Sequence, residues 1–428
     1  MVLLYLHLMV NDDSYNGSPV PSSDVIMVLL YLHLMLFTTI SQAGECPSPC
    51  TCQTENTEVY CNGIGITEIP KNLPITTVSL YLGSNQIKVV PTDSFSGLIH
   101  LQSLDLTDNQ FKEGSIQDGA LDLPSIANLD LSINKFTSIP QILPPKLIGF
   151  AIAYNPIQTL TASSFVKYPS IQYLTVSNTN LSKIEEHAFD PLTGAINIAI
   201  SFNQLEDGSI PLTAFFKNQN LTYLSLRYNN LKTFPNMTYF PATLQNFDFV
   251  GNPITVIPSY GFRHLPNIQV IEIRDSPLST LADYAFFGLT KVTIVNFMDN
   301  QISSPITNHT LDGLTALKTI YLTDNKISKI ETGAFHSLTS IQDVWLSDNK
   351  LSTLDPGVLD TKFMPRLSSV FMDFNPWICD CHLKWLREKM DNATYTIMYP
   401  HIIVCSGPSK VAGKAWDVLK PEDFVCEN

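Results

Sequence analysis

One pattern governs what this chain can become: Leu-x-Leu-x-x-Asn-x-Leu/Ile, clear in Leu80-Tyr81-Leu82-Gly83-Ser84-Asn85-Gln86-Ile87, returns in register along most of its length. The asparagine falls at 85, 109, 134, 155, 203, 229, 252, 300, 325, 349 and 375, and Thr179 and Ser276 stand where the ladder would otherwise skip. Spacings stay between 21 and 26 residues. Each unit holds one short strand, such as Leu224-Ser225-Leu226 or Val344-Trp345-Leu346, whose aliphatic residues point inward and whose intervening residue points outward. One unit cannot bury that face alone, so units must stack, joining their strands into a parallel sheet over a columnar core. A side-chain amide at each turn can donate to and accept from loop backbone that would otherwise be unpaired, which explains the demand for Asn. A hydroxyl at Thr179 or Ser276 fills part of that role. The 428 residues, 44% hydrophobic and 15% charged, supply the apolar content such a core requires.

A second column supports the stacking. Phe95, Phe165, Phe189, Phe215, Phe262, Phe286 and Phe335 follow the ladder at a nearly constant offset and are expected to form a spine under the convex side. Leu121, Leu311 and Leu359 replace Phe in three units, where looser packing is expected. These features resemble the extracellular leucine-rich-repeat family. That resemblance implies an α/β solenoid: a leucine-rich-repeat horseshoe with a parallel β-sheet on its concave face and disulfide-stapled caps. A longer period is also visible. Two four-unit blocks each open with an acidic-Gly-Ser-Ile insertion (Glu113 to Ile116, Asp207 to Ile210) and then carry a Pro-bearing unit. An Asn-Pro-Ile unit (Asn155 to Ile157, Asn252 to Ile254) and a unit without the asparagine follow, as a tandem duplication would leave them.

The eight cysteines fall in two groups, Cys46, Cys50, Cys52 and Cys61, then Cys379, Cys381, Cys405 and Cys426, with none between. Two even sets around a long cysteine-free array read as two disulfide-stapled units made in an oxidising compartment. Zinc binding at Cys379-Asp380-Cys381 is the alternative, weakened by the scarcity of histidine. The first group resembles the family's cysteine-rich N-terminal cap. The stretch Asn375-Pro376-Trp377-Ile378-Cys379-Asp380-Cys381-His382-Leu383-Lys384-Trp385-Leu386 is similar to the C-terminal cap of Slit, the Nogo receptor and lamprey variable lymphocyte receptors. This resemblance implies bridges Cys46–Cys52, Cys50–Cys61, Cys379–Cys405 and Cys381–Cys426, although the sequence alone allows three pairings for each set of four. Small proteoglycans share the N-terminal style but end differently, which disfavours that subfamily.

The expected organisation is a possible spurious extension over 1–26, where Met1 to Met9 repeats Met27 to Met35 letter for letter, and a signal peptide over 27–43. A cap over 44–64, an array of about 13 repeats over 65–374 and a cap over 375–428 follow. The mature chain is expected to be secreted, extracellular and not inserted in a membrane. A formal charge of −14 argues against nucleic-acid partners. No zinc-protease, nucleophile-elbow or dinucleotide motif occurs, so no catalytic residue, metal or cofactor is expected. Gly407 to Ala415 imitates a phosphate loop, but five residues separate its glycines and Ala occupies the metal-binding hydroxyl position.

Register also predicts the concave surface. It is acidic, with Asp105, Asp108, Asp130, Asp248, Glu272, Asp275, Asp299, Asp324, Asp343, Asp348 and Asp373 against Arg227 and Arg274 alone. Aromatics share it: Tyr154, Tyr173, Phe202, Tyr223, Tyr228, Tyr321, Trp345, Phe371 and Phe374. Aspartate just before the ladder also suits ordinary repeat consensus. Aromatic rows on an exposed sheet are harder to justify by folding, so Tyr321, Trp345, Phe371, Asp343, Asp348, Tyr223, Arg227 and Arg274 are the candidate ligand contacts. Sequons at Asn180, Asn220, Asn236, Asn308 and Asn392 are candidate glycosylation sites. The expected role is recognition of an extracellular protein ligand or receptor ectodomain, in a matrix, guidance or innate-immune setting. Resemblance to the non-catalytic leucine-rich-repeat subunit of a shrimp luciferase implies an alternative, an accessory subunit of a secreted enzyme.

Overall fold

In the computed structural model, which describes residues 45–392 and 394–426, every ladder unit contributes one three-residue strand, and the strands stack in chain order. The expectations for 1–26 and 27–43 lie outside the described residues. A single sheet of 16 strands runs from Thr51–Gln53 to Thr396–Ile397. Its first pairing, Thr51–Gln53 with Glu58–Tyr60, is antiparallel, and parallel pairing starts where Glu58–Tyr60 meets Ser79–Tyr81. The middle residue of each strand, Leu80 through Val370, is at most 3% exposed while its neighbours look out. Alternation over only three residues is therefore enough to set sidedness, because stacking repeats it in every coil.

The phenylalanine spine forms as expected, with Phe165, Phe189 and Phe215 stacked at 5.9 and 5.3 Å and Phe262 on Phe286 at 5.8 Å. Leu121, Leu311 and Leu359 are buried in the same column. The α component is smaller than an α/β solenoid suggests: the one α-helix among the described residues, Lys384–Asn392, lies in the C-terminal cap. The return limbs are runs of i to i+3 turns, such as Ser94 N to Pro91 O (3.1 Å) and Leu98 N to Phe95 O (3.1 Å). Strand, ladder turn and return limb share some two dozen residues, so each return limb is short and closes in single turns.

The ladder asparagines tie three segments together. Asn325 Nδ2 donates to Phe297 O of the previous coil (2.8 Å) and to Leu322 O and Thr323 O of its own, and its Oδ1 accepts from Ile302 N (2.9 Å). Where the next unit lacks the amide, the chain compensates. Ile157 N, Ile254 N and Trp377 N turn back to the carbonyls of Asn155, Asn252 and Asn375 at 2.8, 2.8 and 2.9 Å. These are the three Asn-Pro units, and each precedes a coil without the asparagine. The two sequence features are thus one device for pairing one N–H. The duplicated insertions also act alike: Glu113 Oε1 accepts from Thr137 N and Ser138 N, and Asp207 Oδ1 from Lys232 N and Thr233 N.

The disulfides are Cys46–Cys52, Cys50–Cys61, Cys379–Cys405 and Cys381–Cys426, with no free cysteine. Cys381, His382 and Cys426 lie close enough to suggest a metal site, but both sulfurs are bonded to each other and offer no thiolate. In the C-terminal cap Trp377 and Trp416 are fully buried, and Arg387 Nε donates to Leu419 O (2.8 Å) and Trp416 O (3.2 Å). Among the described residues no helix is long and apolar enough to cross a membrane.

Candidate functional site on the concave sheet

The residue just before each ladder position has φ between +48° and +70° in all thirteen units. Gly, Asn and Asp tolerate this left-handed conformation best. Asp108, Asp275, Asp299, Asp324 and Asp348, with Asn178 and Gly251, therefore answer a backbone demand. Tyr154, Phe202, Tyr228 and Phe374 occupy the same position against that preference, at a cost of about 1–2 kcal/mol each. Their rings are 57, 45, 37 and 61% exposed, so burial does not explain them fully.

Phe202 stacks on Tyr228 at 4.6 Å, and the Tyr228 ring lies over Gly251, where any Cβ would collide with it. Tyr228 Oη donates to Asp275 Oδ2 (3.1 Å), and the Arg227 guanidinium sits 5.6 Å from the Tyr228 ring centre. Arg227 also reaches Asp248 (3.6 Å) and Arg274 reaches Asp275 (2.9 Å), so both basic residues are partly neutralised. Tyr223 Oη faces Asp248 (3.5 Å); burial first, and that carboxylate second, raise its phenol pKa. Asp248 and Asp373, expected on the surface, are buried instead and accept hydrogen bonds from Ser225 and Ser347.

The second group lies toward the C-terminus. Tyr321, Trp345 and Phe371 pair in register, with ring centres 5.5 and then 3.5 Å apart. Phe371 is only 7% exposed because Trp345 covers one side and Tyr399 approaches to 6.0 Å. It supports the stripe and offers little free surface, contrary to the expectation of an exposed contact. Tyr399, 50% exposed, continues the row from the cap. It was missed because the pattern ends at Asn375, while the sheet gains one further strand, Thr396–Ile397. Asp343 lies on the Trp345 strand, and Asp348 is exposed beside it. Three strands lie between those of Tyr223 and Tyr321, four steps of 4.7–4.9 Å or roughly 20 Å, so the candidate residues form two groups on one face.

Asn180, Asn220, Asn236 and Asn308 are all exposed, and the sequon that opens at Asn392 includes residue 393, which lies outside the described residues. Asn220 Nδ2 is bonded to Thr193 O (2.9 Å), and Asn236 caps the 3-10 turn Met237–Tyr239.

Residues 76–136, 266–327 and 315–376 match the family described as Leucine rich repeat. Residues 45–74 match its N-terminal domain, and 146–269 the BspA type Leucine rich repeat region. The chain belongs to the leucine-rich-repeat proteins with cysteine-rich ends. It is 26% identical to osteomodulin of Bos taurus over 53% of this chain and 48% of that one, and 25% identical to podocan of Mus musculus over 68% and 39%. Lumican of Gallus gallus is 32% identical over 46% and 54%. The chain thus spans about half the length of the curated relatives it matches. These relatives are small leucine-rich-repeat proteoglycans, the group that the form of the C-terminal cap disfavoured. Among solved structures, the octameric complex of Latrophilin 3, Unc5D and FLRT2 aligns at TM-score 0.57 and 23% identity, covering 89% of this chain and 99% of that one. The Drosophila Toll–Spatzle complex aligns at 0.56 and 16%, covering 82% and 61%. At these identities the likeness concerns the fold.

Proposed function

We propose that this chain is a secreted recognition protein that holds an extracellular protein ligand on its concave sheet and carries out no catalysis. The observation that carries this reading is the set of aromatic rings, Tyr154, Phe202 and Tyr228, kept exposed at a backbone position suited to Asp or Gly. Strain of this kind persists where function rewards it. Tyr321 and Trp345, flanked by Asp343 and Asp348, form a second contact zone, and aromatic side chains of this sort dominate interface energies. Extracellular matrix relatives without enzymatic activity favour the same reading. The test is to isolate the ligand by cross-linking in the source fluid and then compare Tyr228→Ala, Trp345→Ala and the convex-side control Phe287→Ala. Each concave substitution is expected to weaken binding about tenfold or more, matching losses above 1 kcal/mol, and the control to leave it unchanged. Equal affinities for all three would refute a concave site. A captured enzyme whose activity requires this chain would make it an accessory subunit.

A further inference from the structure

The face opposite the concave sheet also carries exposed aromatic rings. Two residues before the spine, the backbone is again left-handed, at Gly119, His187, Tyr260, Tyr284 and Gly333. Tyr260 and Tyr284 place rings where two other coils use glycine, and they stack at 5.9 Å with planes 6° apart. His309, in the equivalent place one coil later, stacks on Tyr284 at 4.9 Å, and Phe287 packs edge-on against Tyr260 at 5.8 Å. Tyr260 and Phe287 are 45 and 54% exposed. The row stops at Gly333. An added Cβ there would lie 3.3 Å from His336 Nδ1 and 3.8 Å from Asn308 Cβ. With no side chain, Gly333 keeps the surface low between Asn308 and His336, and beyond it His336 stacks on Phe363 at 3.8 Å.

Asn308 opens the sequon Asn308-His309-Thr310 and is exposed beside Gly333. We propose that the convex aromatic ledge is the seat of the chain's own N-linked glycan on Asn308, with the first sugar lying over Gly333, flanked by His309 and by the His336–Phe363 stack. A sugar ring has one face made of C–H groups, and laying that face on an aromatic ring removes apolar area of both from water. This occupant accounts for rings held against backbone preference beside an attachment point, since it covers an apolar patch without recruiting another chain. Thr310 is fully buried, and its Oγ1 accepts from Thr307 N (2.9 Å), so the sugar must be attached before this coil closes. The inference rests on the secretory reading above, because attachment requires the export route.

The test uses the full chain secreted from eukaryotic cells with Asn180, Asn220, Asn236 and Asn392 each changed to Gln. Peptide mapping is expected to find Asn308 occupied. Enzymatic removal of the glycan is expected to lower Tm by about 1–2 °C, scaled from the usual shift per kcal/mol for smaller domains. It should also speed deuterium uptake over residues 303–312 and 333–338. In the double variant His309→Ser and Phe363→Ser, which keeps the sequon, both effects should vanish; Phe363→Ser alone serves if the double variant fails to fold. A bare Asn308 in wild-type protein occupied at other sequons overturns the proposal while leaving secretion intact. Shifts of equal size in the ring variants also overturn it, as does a dimer of the glycosylated chain that Phe287→Ser dissolves.

Discussion

Replacing Asn325 with Ala tests the central structural claim, that a buried amide in each coil pairs backbone which nothing else reaches. Four hydrogen bonds disappear, but they are not equal. Phe297 O also accepts from Asn300 Nδ2 (3.0 Å), Leu322 O from Asn349 Nδ2 (2.8 Å) and Thr323 O from Asp299 N (3.3 Å), so all three carbonyls keep a donor. Ile302 N loses the partner it had in Asn325 Oδ1 and lies where water cannot replace it. A stranded buried donor costs about 1–3 kcal/mol, and each lost but partly compensated bond roughly 0.5–1.5 kcal/mol at most. The substitution should therefore cost about 2–4 kcal/mol, a large share of the 5–15 kcal/mol typical of a folded domain. Urea denaturation should be followed by far-ultraviolet circular dichroism and tryptophan fluorescence together, because repeat arrays lose two-state behaviour when one coil weakens. Amide exchange at Ile302 should accelerate ahead of its neighbours. A change in stability below about 0.5 kcal/mol with Ile302 still protected would refute the reasoning, since a loss that small is less than one net hydrogen bond.

Other outcomes follow from single side chains. Tyr395 is 6% exposed with no partner for its hydroxyl, and burial pushes its pKa up to about 12, so Tyr395→Phe should be neutral or stabilising by up to about 1 kcal/mol in the same denaturation assay. Asp324 sits at φ +53°, so Asp324→Val should cost about 1–2 kcal/mol while Asp324→Asn should be tolerated; equal losses would discredit the backbone argument. Partial burial first, then the carboxylates of Asp348 and Asp299, raise the Asp324 pKa above its ordinary 3.8. A carboxylate that holds its proton more tightly when folded adds stability as pH falls through the window above 3.8, and a carbon-detected NMR titration should show Asp348→Asn moving the midpoint down.

Much of this was legible in the chain itself. Repeat length, strand position, ladder and spine are periodic, and periodic features need only neighbours of the same kind, so Leu80, Asn85 and Phe95 announce their places without any structure. The cysteine groups likewise marked two caps. Spacing alone left three pairings open in each group; the tertiary structure has the pairs that the family resemblance implied, because pairing depends on which sulfurs the cap folds bring together. It also distinguished the aspartates that serve the backbone from the aromatics that defy it, since both occupy the same position and only φ separates their reasons. Asp248, Asp373 and Phe371 point to the predicted face yet are sealed by Ser225, Ser347, Trp345 and Tyr399. Sidedness is a property of one strand and can be read locally, whereas exposure depends on what the adjoining coils lay across it.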